Sequence, residues 1–284
     1  MISFFLRNLK VFFKDKASVF FSLLAVLITI GLYALFLGDV WTNGLGFSGA
    51  RDLMDNWIVS GLLAITSITA TMGANGTMID DKVKKINKDF IASPLKQRYI
   101  AGGYILSSYV IGILISLVTF FLGEIYIVAN GGTLVPFAAA LEIFGILLLA
   151  NLAGSSMVLF MVSFFSSNNA FSTASTIIGS IIGFLTGIYL PIGQLPSAMQ
   201  WVVKLFPVSY SAALIRSRLM EAPISKHLAG IDAQALNSLY SEFGVKYFFD
   251  GTALPEYAYF LILAATTVLF FGLSVLSLSR KRKK

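Results

Sequence analysis

Cysteine is absent from this 284-residue chain, and histidine occurs once, at His227. The chain therefore has no disulfide framework and no thiolate metal ligand, and a single histidine argues against a transition-metal cluster. His227 lies in a polar stretch, so we interpret it as a solvated side chain. Charged residues make up only 12% of the chain, about half of their usual share in soluble domains. These shortages argue against a metalloenzyme and against a soluble globular protein.

Nucleotide-binding and hydrolase motifs are missing as well. No glycine is followed directly by lysine, which excludes a Gly-x4-Gly-Lys-Ser/Thr phosphate loop, and the Gly-x-Ser-x-Gly nucleophile elbow does not occur. Despite the net charge of +7, no basic groove with interleaved aromatic residues indicates nucleic acid binding. The chain is therefore predicted not to be an enzyme, with no catalytic residues, no metal and no cofactor of its own.

Long apolar runs are the main feature of the sequence. Hydrophobic residues make up 57% of the chain, and their runs are long enough to form transmembrane helices. An amphipathic helix over residues 1–18, basic on one face, is typical of a helix lying in the membrane interface. We predict an all-α integral membrane protein with one transmembrane domain over residues 1–284. Its six predicted spans are residues 19–37, 57–79, 104–128, 137–165, 170–190 and 257–278.

Basic residues are unevenly distributed between the connecting segments. Fifteen of the 21 Lys and Arg residues lie in the N-terminal segment, in residues 80–98 and in the tail 279–284. Because cytoplasmic loops of membrane proteins carry an excess of positive charge, this pattern predicts that both termini and the 80–98 loop are cytoplasmic. The abundance of Lys, Ile, Phe and Asn indicates the cell membrane of a bacterium.

Residues 80–98 are the densest run of charge in the chain. The sequence predicts a short helix that begins at two aspartates, which stabilise helix N-termini, and that ends before Pro94. One face of this helix is apolar, and lysines occupy the others. Two interpretations remain: a basic loop that only fixes topology, or a helix that docks in a groove of a soluble partner. For the second, the candidate contact residues are Asp80, Asp81, Val83, Lys84, Ile86 and Phe90.

The segment between the fifth and sixth predicted spans, residues 191–256, is too apolar at its start for a free loop. Prolines divide this start into pieces that are too short to cross a membrane. We predict two short re-entrant helices, residues 197–206 and 209–220, which dip into the outer leaflet and are covered by protein. The more polar remainder is expected to form a small extracellular subdomain.

Small residues recur at every fourth position of the predicted fifth span, at Gly179, Gly183 and Gly187. Such a ladder lets two helix backbones approach closely. Packing within one subunit and contact between two transmembrane subunits both fit the pattern.

Two carboxylates, Glu124 and Glu142, lie near the outer ends of the third and fourth spans. Carboxylates within membrane spans are energetically costly and mark functional sites by default. Either these are interfacial carboxylates in contact with water, or they contact a substrate or cation near the outer exit.

Three stretches, in this order, resemble the permease subunit of ABC-2-type exporters, which have the type V exporter fold. The first is the amphipathic helix that leads into six spans. The second is the charged loop with its Ser93-Pro94-Leu95 turn, followed by Tyr99-Ile100-Ala101-Gly102-Gly103. The third begins at Leu190-Pro191 and contains Gln194-Leu195-Pro196, Trp201, Leu205-Phe206-Pro207-Val208-Ser209-Tyr210 and Arg216. Phe206 stands where the family pattern often has asparagine.

The resemblance implies that two such permeases, identical or different, pair among the membrane lipids. Each docks on a separate ATPase subunit that binds ATP and Mg. The short helix in residues 80–98 is then the coupling helix, spans one, two and five line the path, and the short outer helices form its gate. The candidate gate residues are Pro191, Trp201, Phe206, Pro207 and Tyr210.

An apolar and aromatic gate indicates export of a hydrophobic or amphipathic substrate, such as a drug, an antimicrobial peptide or a lipid-like compound. The alternative is an ATPase-independent channel or secondary transporter. That alternative calls for several ionisable residues at the membrane midplane, or for matched broken helices in two repeats. We find neither pattern in the sequence.

Overall fold

The computed structural model describes residues 2–93 and 97–280, and nearly all of them are helical. The described helices are α1 (Ile2–Lys14), α2 (Lys16–Leu32), α3 (Gly38–Leu45), α4 (Ala50–Val83), α5 (Ile86–Ala92), α6 (Gln97–Ala129), α7 (Phe137–Val162), α8 (Asn168–Leu185), α9 (Ser197–Leu205), α10 (Pro207–Leu219), α11 (Glu221–His227), α12 (Ala233–Glu242) and α13 (Glu256–Arg280). A π-helical turn, Tyr33–Leu37, joins α2 to α3, and a 3-10 turn, Ile192–Gln194, precedes α9. Strands β1 (Phe248–Phe249) and β2 (Thr252–Ala253) form a small antiparallel hairpin.

Five helical stretches of the described chain are long and apolar enough to cross a membrane. They are Lys16–Phe36, Ala50–Val83, Gly102–Ala129, Phe137–Val162 and Glu256–Ser277. Each corresponds to one of the spans that the sequence predicts. The prediction of an all-α integral membrane protein is therefore confirmed.

The predicted fifth span differs from the other five. Residues 170–190 were expected to cross the membrane, but α8 runs over Asn168–Leu185 and is not among the long apolar helices. The reason is its composition, because asparagine, serine and threonine recur throughout the first half of α8. Its 18 residues nevertheless give a length of about 27 Å, close to the roughly 30 Å of a bilayer core.

The two short helices predicted as re-entrant are present as α9 and α10, which we call the re-entrant pair. They meet at Phe206 with a bend of 90°, and only together are they long and apolar enough to cross a membrane. Pro207 is the first residue of α10, where its missing N–H group costs no hydrogen bond. The prolines therefore separate two short helices as the sequence predicts, although the second begins at residue 207 and not at 209. Helix α10 packs between α4, α7 and α13.

Helix α4 is the centre of the bundle, since it packs against α6, α7, α8 and α10. Its buried hydroxyl groups donate hydrogen bonds to its own backbone, as Thr66 does to the Leu62 carbonyl at 2.7 Å. Glycines on two neighbouring helices allow close crossing. A Cβ atom on Gly154 of α7 would lie 2.7 Å from the Ser67 carbonyl oxygen, and one on Gly112 of α6 would lie 2.4 Å from Asn151. Packing of small residues against backbone is what drives helix association in membranes.

The bundle has two ends with different chemistry. We call the end that carries α1, α5 and the end of α13 the basic end, because most lysines and arginines lie there. The opposite end, which carries α11, α12 and the β-hairpin, is called the hairpin end. The basic tail 281–284 lies outside the described residues.

Candidate functional site

A cleft of about 640 Å³ lies between α2, α4 and α8. Its lining side chains are mostly small and carry hydroxyl groups, with Met72 and Phe171 as apolar patches: Ala17, Ser18, Ser22, Thr69, Met72, Gly73, Phe171, Ser172, Ser175 and Thr176. The Oγ atom of Ser175 is buried and has no hydrogen-bond partner among the described residues. The cleft therefore presents both apolar surface and hydroxyl groups that can bind a ligand.

The cleft continues toward the basic end as a second cavity of about 300 Å³, which shares Ser18, Gly73, Phe171 and Ser172 with it. Two carboxylates lie at this mouth. Asp15 caps α2 by accepting hydrogen bonds from the Ala17 and Ser18 backbone amides. The Ser18 hydroxyl, which also donates to Asp15, lowers the pKa of that carboxyl. Asp80 accepts a hydrogen bond of 2.8 Å from the Asn168 amide, so the mouth is acidic although the surrounding loops are basic.

The charged loop does not begin a helix at Asp80, and that prediction is wrong. Helix α4 continues to Val83, the chain turns at Lys85 with a left-handed backbone (φ 61°), and α5 begins only at Ile86. Asp80 and Asp81 therefore lie in the last turn of α4 rather than at a helix N-terminus. Val83 and Ile86 belong to different helices, so the predicted continuous apolar stripe is broken.

Asp81 is buried, with 2% of its surface exposed. Its carboxylate accepts two hydrogen bonds from the Arg7 guanidinium, one of them at 2.6 Å, and another from the Tyr104 hydroxyl at 2.6 Å. The hydrogen bond with Asp81 raises the pKa of Arg7. Helices α1, α4 and α6 therefore meet at this carboxylate, which is not available to a partner.

Phe90 also faces into the chain. Its ring packs edge-on against Phe4 at 4.9 Å, and the Arg7 guanidinium lies 5.3 Å from its centre. The outward surface of the turn consists instead of Val83, which is 46% exposed, and of lysines. The exposed lysines are Lys84, Lys85 and Lys88. Pro94 and Leu95, which were expected to end the coupling helix, lie outside the described residues.

The three glycines of the predicted ladder lie in three different environments. A Cβ atom on Gly179 would meet nothing within 4 Å, whereas one on Gly183 would lie 2.1 Å from the ring of Tyr189 in the same chain. Gly187 lies beyond the end of α8, in a left-handed conformation (φ 68°) that favours glycine. Gly183 thus serves packing within one subunit, Gly187 serves a turn, and Gly179 leaves an open face.

The structure does not bring the predicted gate residues together in one place. Trp201 is exposed at the hairpin end, where it packs against Phe249 and Lys204. Tyr210 is buried in a cluster with Tyr247 and Tyr259. The others lie at the turns that bound the re-entrant helices: Pro191, Phe206 and Pro207.

Arg216 of α10 belongs to the third stretch that resembles ABC-2 permeases, but it is not among the predicted site residues. It is fully buried, and its guanidinium donates hydrogen bonds to the carbonyl oxygens of Thr186 at 2.7 Å and Gly187 at 3.1 Å. It also lies 5.3 Å from the ring centre of Trp57. These carbonyls end α8, so the C-terminal dipole of α8 compensates part of the buried charge. Arg216 therefore ties the re-entrant pair to the end of α8.

The two predicted carboxylates have partners within the chain. Glu124 is buried and accepts a hydrogen bond of 2.9 Å from the Val135 amide, which fixes the connection between α6 and α7. Glu142 forms an ion pair with Arg218, which also pairs with Glu256. Neither side chain lines the cleft.

His227 is not fully solvated, in contrast to its interpretation from the sequence. Its ring packs against Gly49, and its Nε2 atom lies 3.2 Å from the Asp52 carboxylate. The contact joins α11 to the start of α4 at the hairpin end.

Comparison with known proteins adds one match. A family model described as ABC-2 type transporter matches residues 2–220. No curated protein sequence matches the chain significantly. The matched residues include α1 to α10, and so the whole cleft and the turn at Lys85.

Proposed function

The chain belongs to the ABC-2 type transporter family and is an ABC permease subunit, and on this premise we propose that it exports amphipathic compounds with a separate ATPase. The proposal is based on the hydroxyl-lined cleft between α2, α4 and α8. Its position fits a substrate path, because it extends from the basic end toward the middle of the bundle.

We propose that two copies of this or a related permease complete the path together. The face of α8 that carries Thr176 and Ser180 is exposed in the single chain, and Gly179 on it has open space around its Cα atom. A helix from a second subunit can approach that face closely. The cleft would then be closed on its open side by the partner.

The ATPase is proposed to bind the turn between α4 and α5. Val83 supplies an exposed apolar contact there, and the surrounding lysines supply positive charge that meets acidic residues of a partner. ATP and Mg are assigned to the ATPase, since this chain carries no phosphate loop. Arg7, Asp81 and Phe90 connect the turn to α1, so a movement of the turn is transmitted to the start of α2 beside the cleft.

The proposed substrate is amphipathic, and a positive charge favours it. Met72 and Phe171 offer apolar contact, the hydroxyl groups offer hydrogen bonds, and Asp15 and Asp80 attract cations to the mouth. Cationic drugs and antimicrobial peptides have this combination of properties. The basic end is assigned to the cytoplasm of a bacterial cell by its positive charge.

The alternative is a channel or secondary transporter without an ATPase. It requires ionisable groups in the path that bind a coupling ion. The cleft between α2, α4 and α8 is instead lined by hydroxyl and apolar side chains, and its carboxylates lie at the mouth. The geometry therefore favours an ATP-driven path.

Replacing Thr176 by tryptophan tests the path. The indole is expected to fill the cleft and abolish ATP-dependent transport of a fluorescent cationic amphipathic dye into inverted membrane vesicles. Ile177, the next residue on α8, is 53% exposed and does not line the cleft, so Ile177→Trp is the matched control and should transport normally. Transport by Thr176→Trp at the rate of the control would show that the path lies elsewhere.

A further inference from the structure

A third cavity, of about 270 Å³, lies on the other side of α8, where it faces α7 and α13. We call it the rear pocket. Every side chain that lines it is a hydrocarbon or a thioether, with methionines and phenylalanines prominent. The residues that shape it are Met157, Met161, Ile178, Ile182, Phe206 and Phe270.

The rear pocket lies beside the central parts of α4 and α13, two helices that are long and apolar enough to cross a membrane. It contains Ile68, which is near the middle of the 34-residue α4. Ile181 at its edge is 47% exposed, and Leu269 on the neighbouring α13 is 58% exposed. These apolar surfaces face outward from the bundle at a level where the surroundings of a membrane protein are the ends of acyl chains.

The chemistry of the lining limits the occupant. Ions, phosphate groups and peptide backbones require hydrogen bonds or charges, and burying them without partners costs free energy. A flexible alkyl chain requires only apolar contact, and methionine side chains adapt to irregular apolar shapes. The rear pocket therefore fits a hydrocarbon tail and offers nothing to a headgroup.

Among the described residues, no further segment lies in the pocket beyond the side chains that line it. Outside the described residues lie only the first methionine, the short stretch 94–96 and the tail 281–284, and the tail consists of lysine and arginine. A second permease copy has a better site on the opposite, hydroxyl-bearing face of α8. We propose that the rear pocket binds the end of a phospholipid acyl chain from the surrounding bilayer.

The bound tail has a structural consequence for α8. Met72 lines both the rear pocket and the hydroxyl-lined cleft, and Phe206 is the elbow between α9 and α10. A tail in the rear pocket therefore supports α8 from behind and contacts the elbow of the re-entrant pair. This inference does not depend on the proposed export function, because it concerns lipid binding by the permease alone.

Photo-crosslinking in nanodiscs tests the proposal. The probe is a phospholipid with a diazirine at the terminal carbon of one acyl chain, and the matched probe carries the diazirine next to the ester. The terminal probe is expected to label rear-pocket residues more strongly than the exposed Val268 of α13, whereas the ester-proximal probe should not label the pocket. Labelled residues are identified by mass spectrometry of the digested protein.

Two filling variants make the test specific. Met161→Phe and Ile178→Phe each add a ring to the rear pocket and are expected to lose the pocket labelling. Leu261→Phe changes a residue of α13 that is 62% exposed and should retain it. A variant counts as folded if its thermal midpoint in detergent matches that of the wild type. One folded filling variant is enough for the test.

Three results would overturn the proposal. The first is labelling of the pocket no stronger than labelling of Val268, and the second is pocket labelling that a folded filling variant leaves unchanged. The third is a disulfide between two permease copies that carry Ile181→Cys, together with an unlabelled pocket. Because the chain has no native cysteine, this disulfide would show that a second subunit occupies the rear pocket.

Discussion

Replacing Arg7 by methionine is expected to destabilise the chain by about 3 kcal/mol, because the substitution leaves the buried Asp81 carboxylate without its positive partner. Arg7 donates two hydrogen bonds to this carboxylate, and only the Tyr104 hydroxyl would remain. The loss of stability is measured as a decrease in the free energy of unfolding in mixtures of mild detergent and SDS. A lower thermal midpoint should accompany it.

Two comparisons separate this effect from a general loss of charge. Lys10 is exposed on the same helix, so Lys10→Met should change stability little. Asp81→Asn should lower the free energy of unfolding less than Arg7→Met does. In Asp81→Asn the unpaired charge is that of Arg7, whose side chain is 31% exposed and can be hydrated. Equal stability of Arg7→Met and Lys10→Met would show that the buried ion pair does not hold α1 against α4.

Replacing Gly154 by valine is expected to prevent correct packing of α7 on α4. A Cβ atom at this position would lie 2.7 Å from the Ser67 carbonyl oxygen, which belongs to backbone and cannot rotate away. Overpacking of this kind costs about 3 kcal/mol when the backbone must move. The expected result is aggregation during size-exclusion chromatography or a large drop in the thermal midpoint.

Gly179→Val is the matched control, since the same change at Gly179 meets nothing within 4 Å in the single chain. The variant should fold normally, and crosslinking between permease copies should decrease if this face is the subunit contact. Normal folding of Gly154→Val would contradict the close crossing of α4 and α7.

The sequence predicts five spans and the re-entrant pair well, for simple physical reasons. Apolar runs of membrane-spanning length have few alternative structures in a bilayer. Pro196 and Pro207 mark the ends of short helices, and both helices are found where they were expected. The prediction weakens at α8, because asparagine, serine and threonine in its first half lower the hydropathy of the helix.

The candidate site was less predictable, because it depends on contacts that are distant in the sequence. Asp81 pairs with a residue 74 positions away, and no local pattern shows which of two adjacent aspartates becomes buried. The turn at Lys85 adopts a left-handed backbone that is uncommon for lysine, so nothing in the sequence indicates that α4 ends after Val83. The resemblance to ABC-2 permeases implied that Phe90 contacts a partner, whereas its ring packs against Phe4 and Arg7 of the same chain.

We propose that this permease is driven by an ATPase bound at the turn between α4 and α5. The most direct measurement is co-purification of the permease with a candidate ABC ATPase subunit from the same organism, together with ATP hydrolysis in nanodiscs. Wild type and Val83→Leu should bind the ATPase and support dye-stimulated hydrolysis, whereas Val83→Asp should remain folded and lose both. Failure of the wild type to bind the ATPase, or equal binding by Val83→Asp, would contradict the account.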